Sequence, residues 1–301
     1  MDYGPVTPAP TGSDTVGDPG LPRLPPEQVA ALREKERAEN FPVALRVLPR
    51  ALRRDLGALY DVARVIDDLG DEAEGDRTAA LLRFRADLAR AWDGEPEEPV
   101  LKALVPTIRE RDLDREPFDR LVQANLQDQR VKRYATQAEL ARYCTLSADP
   151  VGRIVLRIFG VRSAEAERLS DRVCTALQLI EHCQDVAEDR RAGRVYLPQE
   201  DLAAYGATEA DLDAPHANEA VRRTVAAQVR KALDQLTEGA ALVGLLQGWA
   251  RLAIAGYVAG GLATVDALRR ADWDVLAGTP RPRKRDVLIH LSKLLLRGGR
   301  R

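Results

Sequence analysis

From Glu27 onward the apolar residues of this chain recur every three or four positions, and Ala and Leu dominate them. That period is helical; a strand would need alternation in twos. Leu81, Phe84, Leu88 and Trp92, for example, fall on one stripe. Strand-favouring residues are scarce, with aromatics at 5%, whereas Ala, Leu, Arg and Glu lose least on entering a helix. The chain of 301 residues is therefore expected to be all-α, with one domain built as a helical bundle. Proline and glycine divide the pattern into helices over 49–71, 77–92, 100–111, 117–133, 137–145, 150–159, 164–192, 218–236, 240–271 and 284–296. Residues 1–26, rich in Pro, Gly, Thr and Asp, carry too little apolar surface to offset ordering. They read as a disordered tail, and residues 27–301 as the domain.

Several function classes fall away. The 45 basic and 47 acidic residues nearly cancel, which argues against nucleic acid as a partner. Cys144, Cys174 and Cys183 match no zinc spacing, and His182, His216 and His290 are scattered. They read as reduced thiols and isolated imidazoles of a cytoplasmic protein. The N-terminal residues lack the basic start and apolar run of a secretory leader. Leu242–Val265 is the most apolar stretch, but it carries Gln247 and Arg251. A central Arg is costly in a bilayer, so a buried core helix is expected there.

Two acidic stripes carry the chemistry. Tyr60, Arg64, Asp67 and Asp71 are spaced by 4, 3 and 4 residues, and Gln178, Glu181, Asp185 and Asp189 by 3, 4 and 4; each set shares one helix face. Like charges one turn apart destabilise a helix by roughly 0.2–0.5 kcal/mol, a penalty that a bound divalent cation reverses. Either stripe alone could be a solvated face. Two of them on otherwise apolar helices point to Mg²⁺, which takes oxygen ligands and binds through one or two carboxylates plus substrate phosphate. Metals held on facing carboxylate rows would neutralise a departing diphosphate. An apolar cavity between the helices would shield the carbocation left behind.

Three segments resemble the squalene and phytoene synthase family: Tyr60–Asp71, Tyr143–Gly152, and Ala176–Asp189 followed by Gly193–Pro198. The resemblance spans roughly Glu36 to Leu296. It implies the α-helical isoprenoid synthase bundle with its central apolar cavity and two or three Mg²⁺ ions. The implied metal ligands are Asp67, Asp71, Asp185 and Asp189, with Glu181 contributing. Tyr60, Arg64 and Gln178 match positions that contact a prenyl diphosphate, and Tyr143 one beside the reacting centre. Tyr257 matches a further substrate-contacting tyrosine. Many relatives have Asn at position 181 and Arg at position 184, where this chain has Glu181 and Gln184.

Within the family, Glu39-Asn40-Phe41-Pro42-Val43-Ala44, Ser147–Gly152 and Gln184-Asp185-Val186 look most like bacterial hydroxysqualene synthases. That likeness implies conversion of presqualene diphosphate and water to hydroxysqualene and diphosphate, as in hopanoid and squalene biosynthesis. Asn40, Phe41 and Gln184 are its implied substrate contacts. It also implies hand-over of the intermediate from a presqualene diphosphate synthase. Two readings compete: a synthase condensing two prenyl diphosphates to presqualene diphosphate, squalene or phytoene, and a non-catalytic family member acting in assembly. The final segment is basic at Arg281, Arg283, Lys284, Arg285, Lys293, Arg297, Arg300 and Arg301, with Val287, Leu288, Leu291, Leu294 and Leu295 between. This stripe suits either a closing helix packed on the core or a peripheral contact with the inner face of an anionic membrane.

Overall fold

The computed structural model describes residues 48–297. The tail over 1–26, the start of the domain at 27, and Asn40 and Phe41 lie outside the described residues. Thirteen α-helices and one short 3₁₀ helix follow, with no strand among the described residues. The helices are α1 Arg50–Asp71, α2 Arg77–Arg90, α3 Pro99–Arg111, α4 Glu116–Asp128, α5 Gln137–Ser147, α6 Asp149–Ile158, α7 Ala164–Gln184, α8 Val186–Arg191, α9 Gln199–Tyr205, α10 Glu219–Gly239, α11 Leu242–Leu245, α12 Gly248–Arg270 and α13 Lys284–Arg297. The expected all-α bundle is what the chain forms.

Local chemistry sets the ends. Asp76, Thr136, Ser163 and Asn218 accept a first-turn amide with their side chains, the usual N-cap. α7 lies at the centre, packed against α6, α10 and α12. Close approach is achieved where side chains vanish. A Cβ on Gly152 would meet Ser170 Oγ at 2.4 Å, and one on Gly239 would meet the backbone of Val173 at 2.9 Å. α1 packs on α3 and α4, and its only fully buried charge, Asp55, pairs with Arg111 of α3 at 2.6 Å.

Three expected helices are shorter or broken. The helix expected over 117–133 ends at Asp128. Residues 131–135 leave it so that the carbonyls of Lys132, Tyr134 and Ala135 can accept the amides of Val195, Gln199 and Glu200 at 2.9–3.1 Å. The helix expected over 164–192 is interrupted at Asp185, whose ψ is 16°. The helix expected over 240–271 breaks at Leu246 and Gln247, which are extended. The polar stretch after Pro198 also holds helix α9 and the 3₁₀ turn Glu209–Asp213. α12 is long and apolar enough to cross a membrane, but 61% of its apolar window is buried, so it serves as a core helix. Arg251, near its start, donates to the Leu295 carbonyl at 2.6 Å.

Candidate functional site

The first acidic stripe lies on the C-terminal half of α1. Val62, Val65, Ile66 and Gly70 are buried, which turns Tyr60, Arg64, Asp67 and Asp71 away from the α1 core face. Gly70 permits the next step. A Cβ there would lie 2.2 Å from Asn125 Oδ1, so α4 comes close enough for Asn125 Nδ2 to donate to Asp67 at 3.1 Å. Gln129 seals the same junction by donating to the Gly70 carbonyl at 3.0 Å. Asp67 is exposed, yet the surrounding protein, with Asp71 adding repulsion, lifts its carboxyl to about 6. Arg64 pairs with Asp68 at 2.9 Å and Glu72 at 3.4 Å, while its Nε is buried without a hydrogen-bond partner.

The second stripe survives the break in its helix. The Asp185 amide still donates to the Glu181 carbonyl at 3.0 Å, and the Asp189 amide to the Asp185 carbonyl at 2.8 Å. The end of α7 and the short α8 therefore keep Glu181, Asp185 and Asp189 within electrostatic reach of one another. Burial, with Glu188 adding repulsion, lifts Asp185 to about 6. Burial also lifts Asp189 to about 7, partly offset by Arg194 and reinforced by Asp185, Glu181 and Glu188. Gln178 lies one turn before Glu181, its amide 3.1 Å from His182 Nε2. Gln184 turns elsewhere: it donates to the Pro280 carbonyl at 2.6 Å, so in this state it ties the 278–282 loop rather than facing the acidic stripe.

Arg194 joins the stripes. Gly193 turns the chain at φ +79°, a conformation open to glycine, and Arg133 binds its carbonyl at 2.6 Å. The chain then pairs along residues 132–135, which aims Arg194 at Asp71, 2.5 Å away, with Asp189 3.9 Å from its Nε. Carboxylates separated by more than a hundred residues thus share one guanidinium. In the sequence, Arg194 is marked only by its place in the Gly193–Pro198 segment of the family resemblance, with no role attached.

Behind Arg194 stands Tyr143, in a cluster whose other members the sequence did not connect to it. Tyr143 donates to Asp128 Oδ2 at 2.5 Å, and Tyr196 approaches Oδ1 at 3.4 Å. His182 stacks on Tyr196 with ring centres 3.9 Å apart, and Tyr134 completes the group. Burial raises the Tyr143 hydroxyl well above its ordinary value, so the phenol is neutral. Burial holds His182 down to about 3, so the imidazole is neutral too. The one available signal was phase: Asp128 follows Leu121 and Ala124 on the buried stripe of α4. Tyr257 on α12 is half-buried, and burial raises its hydroxyl within reach of Cys174 on α7.

The oxygen donors suit a hard divalent cation. No three or more His, Cys, Asp or Glu among the described residues form a ready-made metal centre. A magnesium ion that keeps waters and completes its shell from phosphate needs no such centre. Asp67, Asp185 and Asp189 are raised to about 6, 6 and 7, first by burial and then by repulsion from neighbouring carboxylates. Arg64 Nε and Arg194 Nε are buried donors without an acceptor. This is the complement of a metal–phosphate ligand.

The middle segment supplies support. Asp149 opens α6 and is buried, accepting from Thr175 Oγ1 at 2.8 Å. Burial pushes its carboxyl up to about 7. In the unfolded chain it titrates near the usual 3.9, so the fold holds the proton more tightly. Its contribution to stability is complete below about pH 4 and is lost as pH rises through about 7. Asp149→Asn is expected to remove that loss, making the variant more stable than the parent at pH 8 by on the order of 2–4 kcal/mol and about equal at pH 4. Urea unfolding of both proteins across that range measures it.

A family model for squalene/phytoene synthases matches residues 35–288. Squalene synthase HpnC from Alicyclobacillus acidocaldarius superposes with a TM-score of 0.75 at 42% identity, covering 82% of this chain and 95% of that one. The hydroxysqualene synthase of Zymomonas mobilis is 36% identical over 193 residues, 62% of this chain and 64% of the relative. The presqualene diphosphate synthase of Rhodopseudomonas palustris is 34% identical over 197 residues, 64% of this chain and 70% of the relative. With the helical bundle, the paired aspartate segments and these matches in agreement, the chain belongs to the squalene/phytoene synthase family.

Proposed function

We propose that this protein is a hydroxysqualene synthase: it ionises presqualene diphosphate and captures the rearranged cation with water, releasing hydroxysqualene and diphosphate. The observation that carries the reading is the bridge Asp71–Arg194–Asp189, by which separate helices present one oxygen-rich, cation-poor surface beside Tyr143. Asp67, Asp71, Asp185 and Asp189, with Glu181, would hold two or three Mg²⁺ ions. The metal supplies positive charge to the departing diphosphate when bound.

The chain's own residues do the rest. Arg64 and Arg194 each have a buried Nε to offer phosphate oxygens, and arginine's forked donors match that geometry. The C–O bond to diphosphate breaks with its electron pair leaving on oxygen. The cyclopropyl cation rearranges, water oxygen forms the new C–O bond, and the water's proton leaves to solvent. Tyr143, fixed by Asp128, presents a neutral aromatic face beside this centre. Tyr60, Gln178 and Tyr257 would contact the substrate, as would Asn40 and Phe41 from outside the described residues. No hydride donor enters the scheme. Glu181 and Gln184 favour it over condensation of two prenyl diphosphates, because the side chain at 184 is engaged with Pro280 rather than offered to a second diphosphate. The reading includes a cytoplasmic setting, hand-over from a presqualene diphosphate synthase, and peripheral membrane contact.

Purified protein incubated with presqualene diphosphate and Mg²⁺, without nicotinamide, is expected to yield hydroxysqualene. Product from farnesyl diphosphate alone would identify a condensing synthase instead, the reading favoured by the likeness to the Rhodopseudomonas enzyme. No turnover of either, with no rise in melting temperature on adding Mg²⁺ and diphosphate, would identify a non-catalytic member.

A further inference from the structure

The last helix is apolar on two faces. Val287, Leu291, Leu294 and Leu295 are partly buried, and the last three of these pack on the core. These are most of the stripe that the sequence offered for membrane contact, and they are occupied. The outward face carries the fifth residue of that stripe, Leu288, 62% exposed, together with Ile289 at 50% and Leu296 at 76%. Helix α11 touches α13, and beside it Leu245 is 43% and Trp249 42% exposed. These five make up most of the exposed large hydrophobic residues among those described. A helix that is apolar on both sides needs a second apolar environment.

Charge identifies that environment. Residues 281–301 hold eight Arg or Lys against the single acid Asp286, which is shared between Arg270 at 2.8 Å and Arg285 at 3.3 Å. The chain as a whole carries a net charge of −2, so this positive segment is local. Arg285 and Lys293 are exposed on α13, and the sequence runs on as Gly298-Gly299-Arg300-Arg301. Leucine, isoleucine and tryptophan flanked by arginine and lysine suit the interface of an anionic bilayer.

Position relative to the site gives the surface a purpose. Near the aspartates, Gln184 of α7 meets Pro280, just before α13 begins. At the other end of α13, Leu295 meets Arg251 at the start of α12. Midway, Gly261 of α12 packs on Leu177 and Ile180 of α7. α13 therefore begins at the level of the acidic stripes and ends, with Leu296, at the far end of the bundle, where Leu245 and Trp249 lie. We infer that the outer face of α13, together with Leu245 and Trp249, docks on an anionic lipid surface and holds the carboxylates at the end away from it. The inference does not depend on which prenyl diphosphate is turned over.

Flotation of the full chain with vesicles tests it. Binding is expected to phosphatidylcholine vesicles containing phosphatidylglycerol, at least about tenfold stronger than to phosphatidylcholine alone, and to weaken with salt. Leu288→Ser/Ile289→Ser/Leu296→Ser, all at exposed positions, is expected to lower that binding about tenfold or more with the melting temperature kept. The Trp249 emission, obtained as the difference from Trp249→Phe, should shift to the blue on binding. Equal binding by parent and triple variant would overturn the inference. So would a failure to bind vesicles combined with self-association that the triple variant abolishes, which would make the face an interface between copies.

Discussion

Asp189→Asn is expected to lower kcat/KM about 10²–10³-fold while leaving the unliganded protein as stable as the parent or more so. The two effects have one cause. Asp189 has only 15% of its side chain exposed and its nearest cation, Arg194, at 3.9 Å. Asp185, Glu181 and Glu188 all repel it. An amide of the same shape removes a repelled, desolvated charge, and the fold tolerates that. The same change removes an anionic oxygen from the surface offered to metal and diphosphate, which the reaction does not tolerate. Asp67→Asn is expected to behave alike, because Asn125 can still bond the remaining side-chain oxygen. Steady-state kinetics and thermal unfolding with and without Mg²⁺ and diphosphate separate the two terms. The parent should gain the larger melting-temperature increase from the ligand. A variant with reduced stability and unchanged kinetics would assign the aspartate to the fold rather than to the site.

Arg111→Ala carries the largest expected cost in stability, about 3–5 kcal/mol. Asp55 is wholly buried in α1 and accepts from Arg111 at 2.7 Å, from Arg54 at 2.8 Å and from Thr107 at 3.3 Å. Arg54 is about half exposed, so Arg111 is the main buried countercharge. Without it a carboxylate is stranded in the core. The pair is a fastening between α1 and α3, and α1 is the helix that presents Asp67 and Asp71. Asp55→Leu/Arg111→Met is expected to regain most of the loss, since neither charge is then buried alone. Chemical denaturation of the single and double variants measures this. Activity per folded molecule should stay near the parent's, because neither side chain reaches the acidic surface.

Much of the bundle was legible because its signal is local. Periodicity in Ala and Leu and punctuation by Pro and Gly placed α1, α2, α3, α6 and α10 to within a few residues. The break at Asp185 was not legible, because the spacing that puts Glu181, Asp185 and Asp189 on one face is the same for a kinked helix as for a straight one. Arg194 was passed over for a different reason. Its importance comes from pairing of residues 131–135 with 195–200, a contact between distant segments that leaves no period in the sequence. Asn125 and Asp128 did leave a trace, as polar residues in phase with the buried side of α4. Without knowing that Gly70 lets α4 press against α1, nothing connected them to Asp67. The exposed face of α13 was hidden by its buried one, since a helix apolar on both sides reads as a single broad stripe.

The most direct measurement is anomalous diffraction from crystals grown with Mn²⁺ in place of Mg²⁺ and with inorganic diphosphate. If carboxylates from α1 and from α7–α8 together hold one metal–diphosphate cluster, manganese peaks will appear against Asp67 or Asp71 and against Asp185 or Asp189, with diphosphate between and Arg194 drawn off Asp71. Manganese confined to one segment, or diphosphate bound elsewhere with the Asp71–Arg194 pair intact, would contradict it.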